Sequence, residues 1–263
     1  MQNRLVRDIK FFLLSQVYHW KGFLFYKTQA SVWMVYSLMS LVYSFVTISV
    51  IYEASSGIAG WNYYQMLFLS ATSSIVLNVM MYVLDPDAIN QMLRTGGMDL
   101  YLVKPYGRAT IFLSATGRPS SLALIAGAFI MLFYAIANIG FNPLYFISYV
   151  VLMVLGTIAF VLFALMLTLL TYHLLKSRET MHSLLSFVEK TARYPLPVYG
   201  IMGQLLFTLV LPLGIASYYP AQAFLFGISA ERFIEVVIVS LTISVVSYLL
   251  FNKLMQYYTS GGG

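Results

Sequence analysis

The 263-residue chain contains no cysteine, which excludes disulfides and thiolate metal ligation and leaves no mark of a redox compartment. Charge is also scarce. Asp, Glu, Lys and Arg make up 9% of the residues, where a soluble domain carries about a quarter. None of the 17 glycines is followed by lysine, so no GxxxxGK[ST] loop exists to cradle nucleotide phosphates. His19, His173 and His182 show no HExxH or paired-ligand spacing; solvated histidines at the interface are the simpler reading. Serines are plentiful, yet none sits in a GxSxG elbow and no intramembrane His or Lys stands by to activate one. The apolar runs lack the mid-bilayer Asp, Glu, Lys or His that proton- or sodium-coupled carriers use, and no inverted repeat relates the two halves.

What fills the chain is apolar: 60% of residues are hydrophobic and the mean hydropathy is +0.81, the balance of an integral membrane protein. Six runs are long enough to cross a bilayer core, which takes about 20 residues. They lie at roughly 30–51, 62–84, 120–139, 144–172, 198–217 and 233–251, with Glu235 the one formal charge inside them. The basic residues then set the orientation. Every Lys and Arg except Arg232 falls on one side, in the N-terminal segment, in the loops after the second and fourth runs, or after the last run. By the positive-inside rule both termini and the two long loops, 85–119 and 173–197, are cytoplasmic. The net charge of +6 is spread over these short segments and not over one soluble face, which argues against nucleic-acid binding. The first 29 residues lack the apolar core and cleavage site of a removable signal. The terminal SGGG (260–263) reads as an appended tail, and 1–259 as a single membrane domain.

Within 1–29, Leu5, Ile9, Phe12, Leu13, Val17, Trp20 and Leu24 recur at helical spacing, with Arg4, Arg7, Asp8 and Ser15 largely opposite. That pattern is an amphipathic helix lying in the headgroup plane. In loop 85–119, Asp85 suits an N-cap, Pro86 the first helical position, and Gly96 and Gly97 a left-handed stop. A helix over about 86–95 follows, with Ile89, Met92 and Leu93 on one face, and then a short apolar piece from Leu100 to Val103 before Pro105. In loop 173–197, residues 178–192 can be helical with Met181, Leu184, Leu185 and Val188 on one face, and Pro195 and Pro197 force an extended lead-in to the fifth run. Pro212 should bend that run. The stretch 217–229, apolar but interrupted by Pro220, reads as a re-entrant or interfacial element on the outer side. Asn78 and Asn138 are the strongest polar groups inside the runs, and Ala123 with Gly127 forms a small-residue packing pair.

Three motifs, taken in order, resemble those of type-2 ATP-binding-cassette export permeases, in the branch that includes viologen- and drug-export permeases. They are "RTGGMDLYLVKP" (94–105), "TARYPLPVYG" (191–200) and "LPLGIASYYPAQAFLFG" (211–227). Met98 departs from the family's commoner leucine or polar residue. The resemblance implies an all-α fold of six spans, with an N-terminal interfacial helix, a coupling helix between spans two and three and a re-entrant outer segment before span six. It implies an export permease for an amphipathic or hydrophobic substrate, paired with itself or a sibling permease and worked by two cytoplasmic ATPase subunits. Those subunits would bind the ATP and Mg, and this chain would hold no cofactor and carry no catalytic residue. ATPase coupling falls on Met92, Arg94, Gly96, Gly97, Asp99, Leu102, Lys104 and Pro105. The lead-in to span five is Arg193, Tyr194 and Pro195; the outer gate is Tyr218, Tyr219 and Pro220; Asn78 is available to substrate. The alternative is a membrane protein that works without an ATPase: a channel, a scaffold or a membrane enzyme.

Overall fold

Helix α3 (Tyr63–Val83) is the centre of the molecule. Asn62 and Gln65 form a reciprocal capping box at its start, each side chain accepting the other's backbone N–H at 2.9 Å, so the first turn's unpartnered donors are satisfied. Leu67, Phe68, Leu69 and Met80 are fully buried, as a helix enclosed by neighbours requires. The computed structural model describes residues 4–54, 58–175 and 178–259, and these are helical almost throughout, with one isolated β-bridge between Ile58 and Trp61. The side chains of Arg178, Met181 and His182, with Lys176 and the terminal SGGG, lie outside the described part.

Around α3 stand α2 (Lys27–Ala54), α7 (Ser121–Ile139) and α8 (Pro143–Leu175), with α12 (Ala230–Leu254) beyond, on α8. α7 is the main neighbour of α3, and α8 pairs with α12. Five helical stretches are long and apolar enough to cross a membrane: Lys27–Tyr52, Tyr63–Thr95, Ser121–Ile139, Pro143–Leu174 and Ala230–Tyr257. A sixth forms if the bent pair Leu196–Val210 and Gly214–Phe226 is one span. The small-residue pair on α7 is a packing device, for a methyl group at Gly127 would meet Leu41 of α2 at 3.7 Å.

The fifth run departs from its expected bounds of 198–217. It starts with a 3₁₀ turn (Leu196–Tyr199), continues through α10 (Gly200–Leu205) and a π turn (Leu206–Val210), and bends by 87° before resuming at Gly214. Pro212 sits in the bend and has no N–H to give, so Leu211 donates back to Leu206 and Ala216 donates to Pro212. Pro220, expected to interrupt 217–229, does not. It occupies the first turn of α11 (Tyr219–Phe226), which continues a π turn (Gly214–Tyr218) without a break. The backbone of Ile215 and Ala216 lies so close to α8 that only Gly156 fits there: a Cβ would stand 2.5 Å from the Ile215 carbonyl oxygen.

Helix α1 (Arg4–Phe25) is set off from α2 by a bend at Tyr26. Leu5, Ile9, Leu13, Val17 and Leu24 are indeed outward and exposed. The opposite face is docked on protein, and not solvated as its polarity suggests. Asp8 accepts from the Gly107 N–H at 3.1 Å, Phe11 stacks on Tyr106 at 4.0 Å, Gln16 is buried, and Trp20 donates to Tyr82 at 3.2 Å.

Candidate functional site

Three places carry the sequence-predicted residues. At the basic end of the bundle, α4 (Pro86–Thr95) leaves α3 after a two-residue break. The Asp85 carboxylate accepts from the Ala88 N–H at 3.2 Å, and Gly96 ends the helix in the left-handed region at φ 73°, where only glycine is at ease. Ile89 and Leu93 are buried as expected, joined by Asn90, which donates to Thr171 of α8 at 3.1 Å. A second short helix, α5 (Asp99–Leu102), and a third, α6 (Arg108–Ala115), complete the segment. α6 was not anticipated; its signal was the pair Ile111 and Phe112, both buried, with Phe112 edge-on to Phe251 of α12 at 5.2 Å.

This anchoring divides the expected coupling residues. Arg94 donates to Asn90 at 2.8 Å and lies over the Tyr172 ring at 5.9 Å, while Asp99 accepts from the Tyr258 hydroxyl at 2.9 Å. Burial, together with that carboxylate, pushes the Tyr258 phenol above its usual range. Met92, Leu102, Gly96 and Gly97 are half-buried; Lys104 and Pro105 are exposed. The residues that sequence reasoning left off are Leu100 and Val103, 74% and 82% exposed on the tip of the segment. Two apolar side chains held out on a well-packed base form a surface suited to being covered.

At the opposite end, Tyr218 and Pro220 are buried and Tyr219 half-buried. Trp61 packs on Tyr218 at 5.7 Å and on Phe226 at 5.4 Å. Arg232, the basic residue of this end, donates to the Tyr219 hydroxyl at 3.2 Å and pairs with Glu235. The chain turns into α12 at Gly227, φ 75°, tight against Tyr145. Tyr218 and Tyr219, two of the three residues expected at an outer gate, thus share one aromatic cluster.

Between them lies a cavity of about 250 Å³. α2 contributes Ser40 and Ser44, and α3 contributes Ser70, Ser73 and Ser74. The start of α7 adds Ser120 and Ser121, and α9 (Arg178–Thr191) adds Ser186. Asn78 lies in its wall but turns its amide N–H back to the Ser74 carbonyl at 2.8 Å. The floor is ionic. Arg118 grips Asp85 through two bonds, at 2.6 and 2.9 Å, and reaches Asp87 at 3.6 Å. Burial alone would lower the Arg118 pKa; the Asp85 bond and the two carboxylate charges outweigh it and raise it. Arg193 pairs with Glu189 at 2.9 Å. Arg193 and Tyr194 therefore border the cavity region, and Pro195 is buried just beyond. The turn that holds them is pinned by a bond from Ser73 to the Ala192 carbonyl at 2.6 Å, halfway along α3.

Comparison with known proteins agrees with this arrangement. No curated protein and no solved structure matches the chain. A family model described as "ABC-2 family transporter protein" matches residues 38–262, from the middle of α2 past the end of α12. With membrane-crossing helices over that whole range, the chain belongs to the ABC-2 family of transporter proteins.

Proposed function

We propose that this ABC transporter permease subunit is an exporter's, moving an amphipathic or hydrophobic substrate out of the cytoplasm. The basic end faces the cytoplasm and carries both termini, as the charge asymmetry argues. A separate ATPase, with its ATP and Mg, docks on the tip formed by Leu100, Val103, Lys104 and Pro105. Two copies of it serve a pair of permeases, this chain with itself or with a sibling. The observation that carries the reading is the exposed Leu100 and Val103 on a segment bolted to α1, α8 and α12, in a chain without a phosphate loop of its own. A rigid base transmits a push, whereas a loose loop would absorb it. Coupling further requires that the ATPase contacts differ between inward- and outward-facing states. The aromatic cluster around Tyr218 and Tyr219 closes the far side, and Trp61 ties it to the loop before α3.

The test is the double change Leu100→Asp/Val103→Asp in the permease purified with its ATPase. Losing two apolar anchors at a docking centre costs about 2 kcal/mol or more, so ATP hydrolysis by the complex should fall at least tenfold while the permease melts as before. Undiminished hydrolysis would remove this tip as the docking point.

A further inference from the structure

The hydroxyls of the central cavity call for a ligand. A serine in a membrane helix commonly returns its proton to the carbonyl one turn back. Ser44 does so, to Ser40 at 2.9 Å, and Ser73 gives its proton to Ala192. Ser70 and Ser121 do neither. Each is 3% exposed and lines the cavity, and among the described residues neither hydroxyl has a protein partner. Ser120 beside them is half-buried and lines the same cavity, likewise without a protein partner for its hydroxyl among the described residues. A hydroxyl that opens into a cavity without a protein partner takes its partner from whatever fills that cavity, so three facing one cavity mark a place where something polar belongs.

The charges say what kind of polar group. The cavity's two guanidinium groups each have a carboxylate already: Arg118 has Asp85 and Asp87, and Arg193 has Glu189. A charged head would find its countercharge occupied and a like charge next to it. An uncharged head rich in hydroxyls meets no such conflict, because a hydroxyl both donates and accepts. The volume suits one such group, since 250 Å³ is many times the about 10–15 Å³ that holds a single water. Trp33 and Tyr36 of α2 supply an aromatic side to the same cavity, and a smaller pocket that shares Ser44 and Ser70 with it is lined by Ile48, Ile51 and Met66. Polar chamber and apolar seam together describe an amphiphile.

We infer that the cavity binds the uncharged, hydroxyl-rich head of an amphiphile, of polyol or glycosyl type, with its apolar tail against α2. The head-group assignment stands on the cavity alone; that the ligand is cargo rests on the exporter reading.

The full chain in phosphatidylcholine nanodiscs provides the assay. Trp20→Phe with Trp61→Phe leaves Trp33 as the lone tryptophan, in the cavity wall. Octyl glucoside, octyltrimethylammonium and octyl sulfate, each below its micellar concentration, are titrated against its fluorescence. The glucoside should saturate the signal at a concentration at least tenfold lower than either ionic amphiphile. Ser70→Ala/Ser121→Ala should weaken it about tenfold, the worth of two hydrogen bonds, while Ser31→Ala/Ser183→Ala, at exposed positions, should not. Equal binding of all three amphiphiles, or binding indifferent to Ser70→Ala/Ser121→Ala in a variant with an unchanged melting temperature, would overturn the assignment. Adding the ATPase then separates the sources. Hydrolysis stimulated by the glucoside identifies cargo, and binding without stimulation identifies a resident lipid. Saturable binding in a chain that never co-purifies with an ATPase would keep the head-group assignment and sink the exporter reading instead.

Discussion

Helices α2 and α3 have nearly the same mean hydropathy, 1.9 and 1.8 over their most apolar windows, yet 11% of the first window is buried against 61% of the second. Apolarity says that a helix enters the membrane, and nothing about whether lipid or protein will cover it. The difference lies in side-chain size and polarity around the circumference. α3 presents Phe68, Leu67, Leu69 and Met80 to neighbours on several sides. α2 points Val35, Met39, Val42 and Val46 outward and turns Ser37, Ser40 and Ser44 inward, where small hydroxyls leave room that large residues would fill. One helix is a core, and the other is a wall with space behind it.

The largest expected effect separates the two helices directly. Phe68 stacks on Phe224 at 4.6 Å and meets Tyr149 at 5.2 Å. Phe68→Ala should cost about 3–5 kcal/mol, seen as a marked drop in melting temperature in detergent, whereas Val42→Ala on α2 should change it by no more than about 0.5 kcal/mol. Equal losses would mean that α2 is as firmly enclosed as α3. A smaller contrast lies in two glycines. Gly156→Ala drives a methyl into the Ile215 backbone, which cannot yield as a side-chain tip can, and should destabilise by about 1–3 kcal/mol. Gly127→Ala, facing α2 at ordinary contact distance, should be neutral or gain up to about 1 kcal/mol from helix propensity.

The smallest effect is set by pH. Burial on the inner side of α1, against Gly117, lowers the His19 pKa from 6.5, outweighing the influence of the Ala115 backbone, which raises it. A histidine depressed in the folded state contributes stability that is complete above pH 6.5 and is lost as pH falls below it, because the unfolded chain takes up the proton first. Docking of α1 should therefore loosen modestly on acidification from pH 7 toward 5, followed through Trp20 fluorescence in a Trp33→Phe/Trp61→Phe chain, and His19→Asn should flatten the profile.

Much of the architecture was legible because it rests on local rules. Asp85, Pro86 and Gly96 bounded α4 to the residue, and Pro212 marked the bend. What was not legible depends on partners distant in the chain. The polar face of α1 reads as solvated until Gly107 and Gly117 are placed beneath it, and nothing near Arg94 in the sequence announces its place over the distant Tyr172 ring. Pro220 looks like a breaker, but the helix runs through it from the π turn into α11. The serines are scattered over four helices and have no motif; only packing brings them to one cavity. Leu100 and Val103 read only as the ends of a short apolar piece, because apolar residues in an oily chain do not stand out as a docking tip until the rest are buried.

The Asp85 carboxylate does two jobs at one point. It caps α4, and it holds the Arg118 that forms the cavity floor. In mechanical terms it is a pivot pin. Ten residues of helix at about 1.5 Å each make α4 an arm of about 15 Å, with the exposed tip at one end and the pin at the other. If the ATPase proposed above works on that tip, a tilt of the arm reaches the chamber's floor through the Asp85 side chain.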